Sequence, residues 1–216
     1  MNIFELKKKI GLNAFTIDMV KPLLEAEYKH PSLKISSMMK KGELLQLKRG
    51  VYAFSAEYRT YPLNFISIAN LLHKPSYVSF EYALSYHGLI PERVYTITSA
   101  TSYKSIQYST KIGTFSYTKI SSKAYSIGLE WKDNDKDGGY LIATAEKALC
   151  DKIYHDKRAK NIRKDEFMKY LEDDLRIEWT DLEKLDTTLM WKISMSYSSS
   201  LLQKITAAIA RRKKNG

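Results

Sequence analysis

Residues 77–101 read YVSFEYALSYHGLIPERVYTITSAT, and they confine a strand, a helix, a stop and a second strand to one short stretch. Tyr77-Val78-Ser79 is β-prone. Ser79 is placed to cap a helix that carries Tyr82, Ala83, Leu84 and Tyr86. His87-Gly88 ends that helix, because glycine tolerates the left-handed conformation at a helix C-terminus. Pro91 then forbids its continuation. Val94 to Thr98 is rich in β-branched and aromatic residues and reads as a strand. The segment specifies a scaffold and contains no catalytic motif.

The chain has 216 residues, enough for one large domain or two small ones, and its 44% hydrophobic content can fill a core. Its net charge of +11 is uneven. Residues 1–60 hold eleven Lys/Arg against six Asp/Glu, residues 61–203 nineteen against eighteen, and residues 204–216 five against none. Basic charge therefore gathers at the two ends around a near-neutral middle, which favours polyanionic partners through phosphate attraction and counterion release. The single cysteine, Cys150, excludes an intramolecular disulfide framework and fits a reducing cytoplasm. The first residues, MNIFELKKKIG, lack the apolar run of a signal peptide. No apolar stretch reaches the roughly 20 residues of a spanning helix, so the expectation is a cytoplasmic protein without a membrane partner.

The first sixty residues read as three helices and a hairpin. Asn2 to Ile10 places Ile3, Leu6 and Ile10 on one face, and Gly11 ends the helix. A second helix restarts over Phe15 to Asp18 with Thr16 as N-cap; Pro22 either breaks it or begins a short new one. After the turn at His30-Pro31-Ser32, Leu33 to Lys41 forms a third helix that buries Ile35, Met38 and Met39 and leaves Lys34, Ser36, Ser37, Lys40 and Lys41 outward. Glu43 to Lys48 and Val51 to Phe54 are strands around Arg49-Gly50. This pattern describes a winged helix-turn-helix over residues 1–60, in which the third helix enters the major groove of duplex DNA. Lys34, Lys40, Lys41, Lys48 and Arg49 are the candidate phosphate contacts, and Ser36 and Ser37 are placed to reach base edges. Lys7-Lys8-Lys9 reads as a solvated helix end.

Residues 57–62 read as a linker, and residues 61–216 as an α+β domain with a small antiparallel sheet and a helical C-terminal half. A helix covers Leu63 to Leu72. Strands follow over Ser105 to Thr110, Thr114 to Ile120, Tyr125 to Trp131 and Tyr140 to Ala143, with a turn at Asp133 to Gly139. Thr144 caps a helix through His155, with Ala145, Ala148, Leu149 and Ile153 inward. Further helices cover Lys164 to Asp173, Thr180 to Leu185, Thr187 to Met195 and Ser199 to Lys213. The last one ends in Arg211, Arg212, Lys213 and Lys214. A helix C-terminus favours one or two cations, so four suggest a second contact with an acidic partner or with DNA.

Three blocks, KKGELLQLKRGVY, the segment 77–101 and ATAEKALCDKIY, carry a resemblance to AbiEi-type antitoxins of the abortive-infection toxin–antitoxin family. It covers most of residues 33–155. The resemblance implies an N-terminal winged helix that represses its own operon and a C-terminal domain that counters a nucleotidyltransferase-like toxin. The implied partners are operator duplex DNA and the cognate toxin, with no cofactor and no intrinsic catalysis. Where the family often has a basic residue in the recognition helix, this chain has Ser37. A ligand-sensing winged-helix regulator is the alternative reading.

Other chemistry is weakly signalled. Glu130-Trp131-Lys132 matches half of a restriction-type nuclease site, which needs a further acid to hold a divalent metal. Asp133 to Gly138 resembles the start of a calcium loop but has Thr144 where the bidentate glutamate belongs. His30, His73, His87 and His155 are scattered without a metal-ligand pair, and no metal site is expected. His87 reads as a structural hydrogen-bonder and Cys150 as a buried small side chain.

Overall fold

The computed structural model describes residues 1–134 and 138–215. Asp135, Lys136 and Asp137, part of the expected turn, lie outside the described residues.

The chain begins with helix α1 (Ile3–Ile10). Its first turn is closed reciprocally: the Glu5 amide donates to Asn2 Oδ1 and the Asn2 amide to Glu5 Oε2, both at 2.9 Å. Gly11, at φ 73°, ends the helix in the left-handed region. Strand β1 (Ala14–Thr16), helices α2 (Ile17–Glu25) and α3 (Pro31–Lys40), and strands β2 (Leu44–Lys48) and β3 (Val51–Phe54) follow. The strands form an antiparallel sheet in the order β1-β3-β2. The sequence reading assigns Phe15 to a helix start. The structure instead pairs Phe15 with Tyr52 in a strand, while the helix begins at Ile17 with Thr16 at its N-cap, as the sequence suggests. Pro22 neither breaks α2 nor starts a new helix: it sits exposed inside one nine-residue helix that ends three residues later, so little of the ladder is lost. Ile3, Leu6, Phe15, Val20, Leu24, Ile35, Met38, Leu44 and Phe54 close a core between these helices and the sheet.

The larger body opens with α4 (Phe65–Leu72), capped by Asn64, whose Oδ1 accepts from the amides of Ile66 and Ser67. Strand β4 (Ser76–Val78), helix α5 (Phe80–Tyr86), strands β5 (Ile97–Thr101), β6 (Ile106–Thr110) and β7 (Gly113–Lys119), helix α6 (Ser122–Tyr125), and strands β8 (Leu129–Lys132) and β9 (Tyr140–Ala143) come next. The helical half comprises α7 (Ala145–His155), α8 (Phe167–Lys169), α9 (Trp179–Leu182), α10 (Thr187–Ser196) and α11 (Ser200–Asn215). The protein is thus α+β.

The expected small antiparallel sheet is in fact a six-stranded mixed sheet, ordered β6-β7-β5-β4-β9-β8. β5 pairs with β7 in parallel, and β4 with β9 in parallel. Local sequence does not encode this, because a residue pattern reports which faces of a strand are buried and not the direction of its neighbour. All of β4 is buried; α4 packs against it, and the Tyr77 hydroxyl reaches from it to Asp151 on α7. The strand foreseen over Tyr125 to Trp131 is shortened to Leu129–Lys132, since Ser122–Tyr125 turns as a helix. The helix foreseen over Lys164 to Asp173 is present as one continuous run of helical turns, 3₁₀ over Lys164–Glu166, α over Phe167–Lys169 and π over Tyr170–Asp174. Among the described residues no helix is long and apolar enough to cross a membrane.

At the centre of the body lies a charged pair with no solvent exposure. Lys147 Nζ is 2.8 Å from Asp151 Oδ1, one helical turn apart on α7. Asp151 Oδ2 also accepts from Tyr77 Oη at 2.9 Å and Ser79 Oγ at 2.7 Å, and Oδ1 accepts from Tyr197 Oη. Lys147 Nζ donates to the Ala124 carbonyl at 2.7 Å. Ser79 therefore does not use its side chain to cap α5, as the sequence suggests: the buried carboxylate takes the hydroxyl instead. Gly128, at φ 75°, makes room for this arrangement, because a Cβ there would lie 2.8 Å from Lys147 Cβ.

Removing one member of such a pair leaves an uncompensated buried charge. Asp151→Ala is expected to cost about 3–5 kcal/mol in chemical denaturation, and the double replacement Lys147→Met/Asp151→Leu to recover much of that loss. A single-variant cost below about 1 kcal/mol would show that the pair does not carry the fold. Burial and the Asp151 charge also raise the phenols of Tyr77 and Tyr197 above their ordinary value of 10. Their stabilising contribution is therefore complete below that pH and lost above it, so denaturation midpoints should fall on going to more alkaline pH.

Candidate nucleic-acid interface

Helix α3 starts two residues earlier than its sequence suggests, with Pro31 at its first position, where no amide donor is needed. Ile35 and Met38 anchor it in the core, and Met39 is half-buried. This fixes which side chains face outward. Ser37, Lys40 and Lys41 are exposed, and Ser36 is half-buried beside them. Leu33, 65% exposed, stands on the same outer stripe, at spacings of four and seven from Ser37 and Lys40. The sequence reading did not single it out. Its signal is an apolar residue out of phase with Ile35 and Met38.

Of the remaining candidates, Lys34 and Lys48 are engaged elsewhere. Lys34 Nζ lies 5.1 Å over the Tyr28 ring. Tyr28 Oη is held below its ordinary value, chiefly by its hydrogen bond with the Met1 amine at 2.6 Å and also by Lys34. Lys34, Ser37 and Lys41 share a polar hollow of about 390 Å³ with Glu5 and Glu43, so this flank of α3 is of mixed charge. Lys48 turns towards the body. Its Nζ donates to the Leu72 carbonyl at the end of α4 at 2.6 Å and sits 4.9 Å over the Tyr108 ring. Arg49 remains exposed at the hairpin tip, and Gly50 (φ 79°) accepts the Ile17 amide at 2.8 Å.

The basic C-terminal cluster divides in two. Arg212 pairs with Glu172 at 2.6 Å and lies 4.3 Å over the Trp179 ring, and Lys213 donates to the Leu185 carbonyl at 2.9 Å. Arg211 and Lys214 face a groove of about 640 Å³ between α10 and α11, beside Trp191.

Glu130 and Lys132 bind each other at 2.6 Å on β8. Asp133 accepts the Trp131 indole N–H at 2.6 Å. Among the described residues no three His, Cys, Asp or Glu converge to hold a metal ion. His87 Nε2 meets the Ala143 carbonyl at 2.7 Å, as a structural hydrogen-bonder should. Cys150 is fully buried, and burial raises its thiol pKa.

The arrangement offers exposed cations at Lys40, Lys41 and Arg49 and short hydroxyls on the outer turns of α3, a surface suited to phosphates and base edges. No known family profile matches the chain, and no curated protein is significantly similar to it.

Lys48→Met tests the division among the lysines. Losing its bond to the Leu72 carbonyl should lower stability by about 1 kcal/mol, read as a fall in Tm. An unchanged Tm would mean that Lys48 is free for other partners.

Proposed function

We propose that this chain is the DNA-binding repressor and antitoxin of a bacterial toxin–antitoxin pair of the AbiEi type, with residues 1–60 acting as a winged helix. The observation that carries the reading is the order of elements, α1-β1-α2-α3-β2-β3, with β1 pairing on β3 and α3 packing against β2. That order supports α3 as the helix that enters the major groove and the β2–β3 hairpin as the wing. Lys40, Lys41 and Arg49 contact phosphates, Ser36 and Ser37 meet base edges, and Leu33 adds an apolar contact to a thymine methyl. Lys34 and Lys48, drawn towards Tyr28 and Leu72, position these elements instead. The three sequence blocks that resemble AbiEi-type antitoxins support the second role, opposition to a nucleotidyltransferase-like toxin by the body of residues 61–216. The protein has no catalytic step of its own in this reading.

The test uses the full chain. The triple variant Lys40→Ala/Lys41→Ala/Arg49→Ala should bind the DNA upstream of its own gene more weakly. The slope of log affinity against log salt should flatten by roughly one unit per lost phosphate contact. The same variant should still restore growth when co-expressed with a nucleotidyltransferase-like gene from its operon. Unchanged gel shifts would overturn the DNA-binding half. Failure of the unmodified chain to rescue growth would overturn the antitoxin half.

A further inference from the structure

β4 and β9 pair at a single position, Val78 with Ile142. Next to it, the Leu141 backbone is satisfied by a side chain rather than a strand: Leu141 N donates to Asn70 Oδ1 at 2.6 Å, and Asn70 Nδ2 donates to Leu141 O at 3.3 Å. A cleft of about 450 Å³ opens here, where α4, the ends of β4 and β8, and the loop and helix carrying Leu12 and Met19 come together. Its volume falls within the roughly 300–1,000 Å³ of small-molecule sites.

Three features of the lining point to a ligand. Ser67 and Ser76 are 6% and 4% exposed, both residues line the cleft, and their hydroxyl oxygens, enclosed just beneath its wall, have no hydrogen-bond partner among the described residues. A buried hydroxyl without a partner is unfavourable and rare, so two at one cleft are unusual. Trp131, 56% exposed, presents an aromatic surface that is already positioned. Its indole N–H is bonded to Asp133, and its ring lies so close to Gly139 that a Cβ there would come within 2.3 Å of it. Lys74 contributes a cation to the lining and has no ion-pair partner among the described residues.

We propose that this cleft binds a small planar aromatic acid. The ring packs against Trp131, Leu71 and Leu141, the Ser67 and Ser76 hydroxyls turn about χ1 to bond polar groups of the ligand, and the carboxylate meets Lys74. Because Leu12 and Met19 come from the N-terminal unit, the ligand touches both units. Binding itself does not depend on the DNA-binding reading, and it is tested separately.

The probes are indole-3-acetate and benzoate, with indole and benzyl alcohol as neutral counterparts, added to the ¹⁵N-labelled full chain. The readout is the Trp131 indole N–H resonance, assigned with Trp131→Phe. At least one acid should shift it saturably, with an affinity about tenfold above that of its neutral counterpart. Lys74→Ala should reduce the acid to the level of the neutral compound and leave the latter unchanged. Ser67→Ala/Ser76→Ala should weaken binding while the Tm of the free protein holds or rises, since hydroxyls without partners are being removed. Absence of a saturable shift with both acids, equal affinity in Lys74→Ala, or a Tm loss in the serine variant without weaker binding would overturn the proposal.

Discussion

The body is organised around a carboxylate that cannot reach water. Asp151 sits on α7, yet its bonds come from β4 through Tyr77, from the β4–α5 junction through Ser79, and from the end of α10 through Tyr197. Lys147, its partner, reaches α6 through the Ala124 carbonyl. One buried charge pair thus fixes the mutual positions of the sheet and three helices. Apolar packing alone specifies such positions loosely, because dispersion and burial are not directional. Hydrogen bonds to a buried carboxylate are directional, and each missing donor is costly. The same centre explains why Gly128 must lack a side chain and why Ser79 forgoes its capping role.

A second ionic anchor closes beside it. Asp156, at the end of α7, accepts from Arg158 at 2.9 Å and from Tyr170 Oη at 3.1 Å. Burial disfavours its ionised form, but the Arg158 hydrogen bonds and the nearby Lys152 outweigh burial and hold the carboxyl down at about 2. Its folded value lies below its unfolded one, so this contribution is present above the ordinary carboxylate range and fades as pH falls towards 2. The helical half is therefore tied to α7 at two points, within the helix by Tyr197 from the end of α10 and at its C-terminus by Tyr170 from the turn after α8.

Much of this was legible in the sequence, and the gaps have physical causes. The helix from Thr144 to His155, the Gly11 stop, the β2–β3 hairpin and the buried Cys150 follow from local signals: caps, glycines and periodicity. Lys147 and Asp151 escaped because an (i, i+4) Lys–Asp pair on a helix usually reads as solvated, and only tertiary packing removes the water. The parallel pairings escaped because strand direction is decided by partners distant in sequence. At the candidate interface, the outward positions of Ser37, Lys40 and Lys41 were readable from the phase of Ile35 and Met38. The diversion of Lys48 was not, because its partners, Leu72 and Tyr108, are far along the chain.

That diversion changes how charge should be counted. A net charge of +11 suggests a broadly attractive surface, yet several of the cations singled out from sequence are already engaged. Lys34 lies over Tyr28, Lys48 bonds the end of α4, and Arg212 is paired with Glu172 and stacked on Trp179. The hairpin also carries Leu47, Val51 and Ala53 into the larger core, so the N-terminal unit is seated on the body rather than tethered to it. In the proposed repressor, this seating sets the direction in which α3 faces. Lys40, Lys41 and Arg49 then present charge from a rigid base, and the body that would meet a toxin moves with the helix that would meet DNA. The cleft beside Met19 and Trp131 lies along the same junction, so an occupant there would act on the packing that joins the two.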